Sequence, residues 1–169
     1  ESRGYKVFRG DYRNLAIRTH DALIEGDFAG FLRINGDSPF IEPELVELGL
    51  SVINDGAPFV TNLHERTFPY GVSLEGFSKE VFMDFADLRP GSMNEHFTRH
   101  IYGAQDRPSF ASIKQLGLNL GDYMLTIDEP KDLHRIEKLL TGRSYLDSRY
   151  HEVLGIEYTR PIMSWIANR

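Results

Sequence analysis

Apolar positions along the chain switch between two spacings, and the switches mark the elements. A short apolar run at residues 5–8, closed by Gly10, reads as a strand. Over residues 14–25, Leu15, Ile17, Ala22, Leu23 and Ile24 then recur at helical spacing. Residues 28–34 are almost continuously apolar, as expected of a strand covered on both faces, and the turn through Asp37 and Pro39 ends them. Pro43 suits a first helical position, and Leu45, Val46, Leu48, Val52 and Ile53 form the stripe that follows. This β-α-β-α order predicts an α/β protein with a parallel sheet and covering helices.

Residues 58–62 and 71–77 read as further strands, separated by the turn-rich Arg66-Thr67-Phe68-Pro69-Tyr70-Gly71. Ser78 can cap a helix with Val81, Phe82, Phe85 and Leu88 on one face, closed by Pro90-Gly91. A short helix is predicted over 92–102, and strands over 110–115 and 123–127. The second of these runs into Asp128-Glu129-Pro130 and a helix through Leu140, whose apolar face is Leu133, Ile136, Leu139 and Leu140. The tail from Gly142 is expected to be helical. No repeat, low-complexity tract or linker divides the chain, so residues 1–169 are expected to form one domain.

Composition narrows the function classes. A chain that is 41% hydrophobic and 26% charged has the mix of a globular protein. Its net charge of -6, with no local run of Lys or Arg, lacks the basic face that phosphate-backbone binding needs, so nucleic acid is not an expected partner. With no cysteine, disulfides, thiolate zinc sites and cysteine nucleophiles are ruled out, and a reducing cytoplasm fits. No apolar stretch approaches the roughly 18 residues of a membrane span, so no membrane is expected. The N-terminal Glu-Ser-Arg-Gly-Tyr-Lys has neither an initiator Met nor a signal-peptide core and reads as a start inside a longer protein.

Two carboxylates carry the candidate chemistry. Asp37 and Asp128 each follow an apolar strand and precede a helix, and magnesium is typically held by one or two carboxylates plus substrate phosphates. Each has a simpler role open to it, Asp37 in a Gly-Asp-x-Pro turn and Asp128 at a helix start. His96 and His100 stand four apart, a spacing that can hold zinc, but no Glu occupies the metalloprotease position between them and no third ligand is evident. A Ser elbow, P-loop and Gly-x-Gly-x-x-Gly are all absent.

Taken in order, several segments resemble the cytidylyltransferase family of spore-coat polysaccharide synthesis, relatives of the enzymes that make CMP-activated sugar acids. They are Val7-Phe8-Arg9-Gly10, Arg33-Ile34-Asn35-Gly36-Asp37-Ser38-Pro39, Asn62 with Arg66-Thr67-Phe68-Pro69 through Gly71 and Glu75, Glu95-His96 with Thr98 and Ile101-Tyr102, and Thr126-Ile127-Asp128-Glu129-Pro130 with Asp132-Leu133. The match runs from about residue 5 to residue 140. It implies a Rossmann-like nucleotidyltransferase three-layer fold with a mostly parallel sheet, coupling CTP to a sugar or sugar acid with release of pyrophosphate. It further implies Mg2+ on Asp37 and Asp128 as the catalytic, metal-binding pair. Arg33 would support the turn or contact a phosphate, with Asn62, Glu75, Glu95 and His96 holding the sugar. A homodimer is the candidate assembly.

The sequence departs from the family at three points. The family begins with a strand and a Gly/Arg/Lys loop that cradles the triphosphate, and this chain starts after that unit. It is thus expected to be an N-terminally truncated portion, inactive alone. Met124 stands where an Arg is usual, and Tyr70 and Ser73 where acidic residues are common. A non-catalytic nucleotide- or sugar-binding relative of the same fold is the alternative.

Overall fold

The side chain of Asn14 accepts a hydrogen bond from the Ile17 amide and so caps the first helix, α1 (Leu15–Glu25), where the helical spacing places it. In the computed structural model, which describes residues 4–86, 88, 98–140, 142–144 and 148–167, this helix leads into β1 (Gly30–Arg33) and α2 (Pro43–Asn54), with Pro43 at its first turn. Next come β2 (Phe59–Thr61), β3 (Glu75–Ser78) and α3 (Lys79–Phe85), the last capped by Ser78 through the Val81 amide. The chain continues through α4 (Thr98–Gly103), β4 (Phe110–Lys114), α5 (Pro130–Leu140), α6 (Tyr150–Leu154) and β5 (Ile162–Ile166). No helix among the described residues is long and apolar enough to cross a membrane.

The strands form one sheet in the order β1-β3-β2-β4-β5. β2 pairs with β4 in parallel, whereas β1–β3, β2–β3 and β4–β5 are antiparallel, so β1, β2 and β4 run one way and β3 and β5 the other. The mostly parallel sheet predicted from the element order is therefore met in part. Parallel neighbours need a crossover of a dozen or more residues, usually helical. The 62–74 connection contains no helix, and the chain returns antiparallel beside β2.

Helices cover both faces. Leu45 and Val52 of α2, Ile136 and Leu140 of α5 and Tyr150 of α6 pack with Val60, Leu74, Ala111 and Ile113 on one side. Ala16 and Leu23 of α1, Val81 and Phe82 of α3 and Ile101 of α4 pack with Phe59, Phe77 and Phe110 on the other. Period-two alternation turns the second face into two cross-strand rows. Phe31, Phe77, Phe59 and Phe110 form an aromatic row, with neighbouring ring centroids 5.5, 4.7 and 5.3 Å apart. Two residues along each strand, Arg33 pairs with Glu75, Glu75 with Thr61 and Thr61 with Ser112, forming a polar row.

Three predicted segments differ. Residues 5–8 lie outside every strand, with Tyr5 and Val7 exposed, because the run finds no neighbour to complete its backbone hydrogen bonds. The tail is not wholly helical: after α6 it forms β5, which pairs along all of β4 and exposes Met163 and Trp165 alternately with the half-buried Ile162, Ser164 and Ile166. That alternation is the strand period, and the free edge of β4 selects it. Residues 123–127 likewise form no strand, for reasons that belong to the site.

Glu42, just ahead of α2, meets His151 of α6 at 3.1 Å, and both side chains are largely buried. Burial pushes the Glu42 carboxyl up from its usual 4.5, against the opposing pull of His151. An acid raised in the folded state stabilises fully below its unfolded value and loses that contribution as pH rises through its folded value. Wild-type melting temperature is expected to fall more steeply above pH 4.5 than that of Glu42→Gln. Parallel melting curves would remove Glu42 from the pH response.

Candidate functional site

Because β1, β2 and β4 share a direction, their carboxyl ends gather at one edge of the sheet, where ligands collect in α/β folds. β3 runs the other way and so begins at that edge, with Glu75. Glu75 is 4% exposed, and a carboxylate so deep must be paired. Arg33 Nη1 donates to Glu75 Oε2 at 2.9 Å, and Tyr102 Oη donates to Oε1 at 2.9 Å. Burial, then the adjacent Glu75 charge, pushes the Tyr102 phenol well above its ordinary value, so it keeps its proton for that bond. The phenol oxygen is thereby left to accept from Thr61 Oγ1 at 2.8 Å, and Thr61 in turn accepts from the Leu63 amide at 3.0 Å.

This network forms one wall of a cavity of about 310 Å3 lined by Arg33, Asn35, Arg66, Ser73, Glu75 and Tyr102, among others. Asn62 does not line it. Fully buried, its amide donates to the Val72 carbonyl and accepts from the Leu74 amide, both at 2.8 Å, so it shapes the loop that presents Ser73. Glu95 and His96 lie outside the described residues, and so does the His96–His100 spacing considered for zinc.

The segments bearing the two aspartates meet at this end of the sheet. The Asp37 carbonyl accepts from the Ile127 amide at 3.0 Å, one residue before Asp128. The half-buried Asp37 carboxylate accepts from Ser38 Oγ at 2.9 Å and faces an open groove of about 520 Å3 between α1 and β1. The predicted strand at 123–127 is instead an extended segment held by single contacts on both sides. Tyr70 N donates to Tyr123 O, and Leu125 N to Tyr70 O, each at 2.7 Å. On the other side, the Arg135 guanidinium of α5 takes the Met124 and Thr126 carbonyls. With those acceptors claimed by a side chain, no ladder forms beyond the isolated Tyr70–Met124 bridge.

At the start of α5, the cap expected of Asp128 falls to Asp132, whose carboxylate accepts from the Asp128 and Glu129 amides at 3.2 and 3.0 Å. The Glu129 amide, chief among its partners, holds the Asp132 carboxyl below the usual range. The Asp128 side chain is exposed and outside that cap. Thr61, Tyr102, Arg135 and Asp132 are thus site or supporting residues to which the sequence reading assigned no role. Thr61 had a legible signal, since its strand parity matches that of Glu75.

Gly71 sets the spacing between the two loops. Its φ is +94°, and a Cβ there would lie 2.8 Å from the backbone of Leu125 and Thr126. Gly71→Ala is expected to cost about 1–3 kcal/mol of stability, through the left-handed backbone and the steric contact together. Thermal unfolding checks this, and an unchanged melting temperature would contradict it.

No family model matches the chain. The chain is 24% identical over 143 residues to the spore coat polysaccharide biosynthesis protein SpsF of Bacillus subtilis strain 168, a match covering 80% of this chain and 57% of that protein. Its fold matches the structure of a cytidylyltransferase from Leptospira borgpetersenii serovar Hardjo-bovis strain JB197 with a TM-score of 0.76 at 23% identity, over 91% of this chain and 66% of the other. The chain therefore spans less than two thirds of the length of either. Both comparisons agree with the resemblance carried by the motifs, and the chain has the fold of that cytidylyltransferase.

Proposed function

We propose that this chain supplies the metal-side and acceptor-side residues of an enzyme that joins CTP to a sugar or sugar acid for surface polysaccharide synthesis. The sugar hydroxyl oxygen gives up its proton to solvent and forms a bond to the α-phosphorus, the bond to the β-phosphate bridging oxygen breaks, and a CMP-sugar and pyrophosphate result. The observation that carries this reading is the Ile127 amide bonded to the Asp37 carbonyl, which joins the two aspartate segments at the end of the sheet that holds the Glu75 cavity.

The donor set suits magnesium. Among the described residues no three or more His, Cys, Asp or Glu side chains gather as a metal site, whereas magnesium needs one or two carboxylates and takes its other ligands from phosphates and water. Asp37 and Asp128 would hold it, and when bound it neutralises charge on the α-phosphate and the departing pyrophosphate. On the acceptor side, Arg33 and Tyr102 fix the Glu75 carboxylate so that its free lone pairs can receive sugar hydroxyls, with Asn35 and Ser73 beside it. Asn62 acts through the loop it shapes, and Glu95 and His96 complete the acceptor set in this reading.

Pyrophosphate release from CTP by the full gene product, across a panel of sugars and sugar acids, tests the proposal. A sugar-dependent burst is expected, and it should disappear without magnesium. Met124, where the family usually has Arg, favours one second reading, a nucleotide- or sugar-binding relative without turnover. Such a protein would bind CTP or sugar and release no pyrophosphate.

A further inference from the structure

Among the described residues, the Asp128 carboxylate makes no hydrogen bond or ion pair, and its side chain is exposed. The backbone around it, by contrast, is held from three directions. The Leu125 amide donates to the Tyr70 carbonyl at 2.7 Å, and the Ile127 amide to the Asp37 carbonyl at 3.0 Å. From α5, Arg135 donates to the Met124 and Thr126 carbonyls, while Asp132 Oδ2 accepts from the Asp128 and Glu129 amides at 3.2 and 3.0 Å. The cation thus takes carbonyls and the carboxylate takes amides, and Arg135 Nη2 also donates to Asp132 Oδ1 at 3.3 Å. Side chains three apart on a helix are neighbours, so the two form a single clamp on one face of α5. An aspartate beside a helix start ordinarily spends its carboxylate on the helix amides. Here Asp132, reaching back from the first turn, already holds the amides of residues 128 and 129, which leaves the Asp128 carboxylate for a ligand.

We infer that Asp132 and Arg135 are positioning residues for the metal pair: their clamp seats the Asp128 backbone against the Asp37 loop and so sets the place of one carboxylate relative to the other. This rests on the reading of Asp37 and Asp128 as magnesium ligands. Neither Asp132 nor Arg135 touches substrate in this role. Magnesium demands near-ideal octahedral geometry, whereas calcium accepts more oxygens in flexible arrangements, so a loosened Asp128 segment costs magnesium more than calcium. Groups that orient metal ligands typically matter by about 10–100-fold in metal affinity.

The test is CTP binding to the full gene product by calorimetry, with magnesium or calcium as the metal, for wild type, Arg135→Gln, Asp132→Ala and Asp132→Asn. Magnesium-supported affinity is expected to fall at least about tenfold in Arg135→Gln and in Asp132→Ala, and calcium-supported affinity by less than about threefold. Asp132→Asn, which keeps an acceptor for the amides and loses the charge, is expected to fall between wild type and Asp132→Ala. The ratio of the two affinities within one variant does not depend on the fraction folded, so a chain merely destabilised by the lost cap would lower both equally. An unchanged ratio in Arg135→Gln and Asp132→Ala, beside magnesium-dependent binding that Asp37→Ala and Asp128→Ala abolish, would overturn the inference and leave the metal pair standing. Absence of magnesium-dependent binding in the wild type would sink the metal pair itself, and the role of the clamp with it.

Discussion

Replacing either Asp37 or Asp128 with Ala in the full gene product is expected to lower CTP turnover by about 10²–10³-fold, the scale typical of removing a group that stabilises transition-state charge. Combining the two replacements is expected to cost little more than either alone, because residues that act as one unit are not additive. Stability should hardly change with Asp128→Ala. Its side chain is exposed and outside the α5 cap, and surface replacements usually stay within about 0.5 kcal/mol. The structural alternative for Asp128 predicts the reverse, a lowered melting temperature with turnover intact. Steady-state pyrophosphate release beside thermal melts separates the two.

The second large effect is structural. Arg33→Met is expected to destabilise the chain by about 3–5 kcal/mol, because it strands the Glu75 carboxylate in the polar row without its cation. For a domain of this length, that lowers the melting temperature by about 10 °C. Glu75→Gln, which removes the charge that needs a partner, should cost less, and the double variant Arg33→Met with Glu75→Gln should recover part of the loss. Tyr102→Phe should be milder still, since Glu75 keeps Arg33. Equal melting temperatures for Arg33→Met and wild type would mean that the buried pair does not hold this end of the sheet together.

What could be read from the sequence divides along a physical line. Asn14, Pro43 and Ser78 mark helix starts through bonds and φ values that depend only on near neighbours, and α1, α2 and α3 begin where those residues stand. Strand identity depends on a partner elsewhere in the chain. The apolar run at 5–8 reads like a strand and finds no neighbour, while Ile162–Ile166 lies in a tail expected to be helical and pairs along β4. The 123–127 segment has strand-like composition, but Arg135 takes two of its carbonyls.

The site divides in the same way. Asp37 and Asp128 stand out by local context, each between an apolar segment and a helix, yet the meeting of their segments depends on one backbone bond that no spacing reveals. Glu75 was noticed through a motif, although its alternation with Phe77 already required a buried partner for it. That the partners are Arg33 and Tyr102 follows from register and from the packing of α4, both non-local. In the sequence, Arg66 stands out only as a member of the turn-rich segment and of the motif that carries the resemblance. Its place in the Glu75 cavity emerges once the cavity has walls.

The most direct measurement is CTP binding to the full gene product by calorimetry, with and without magnesium, for wild type, Asp37→Ala and Asp128→Ala. One magnesium-dependent site is expected in wild type, and each variant should lose the magnesium-dependent part of the affinity. Wild-type magnesium-dependent binding in either folded variant would contradict a shared metal–nucleotide site built from the two aspartates.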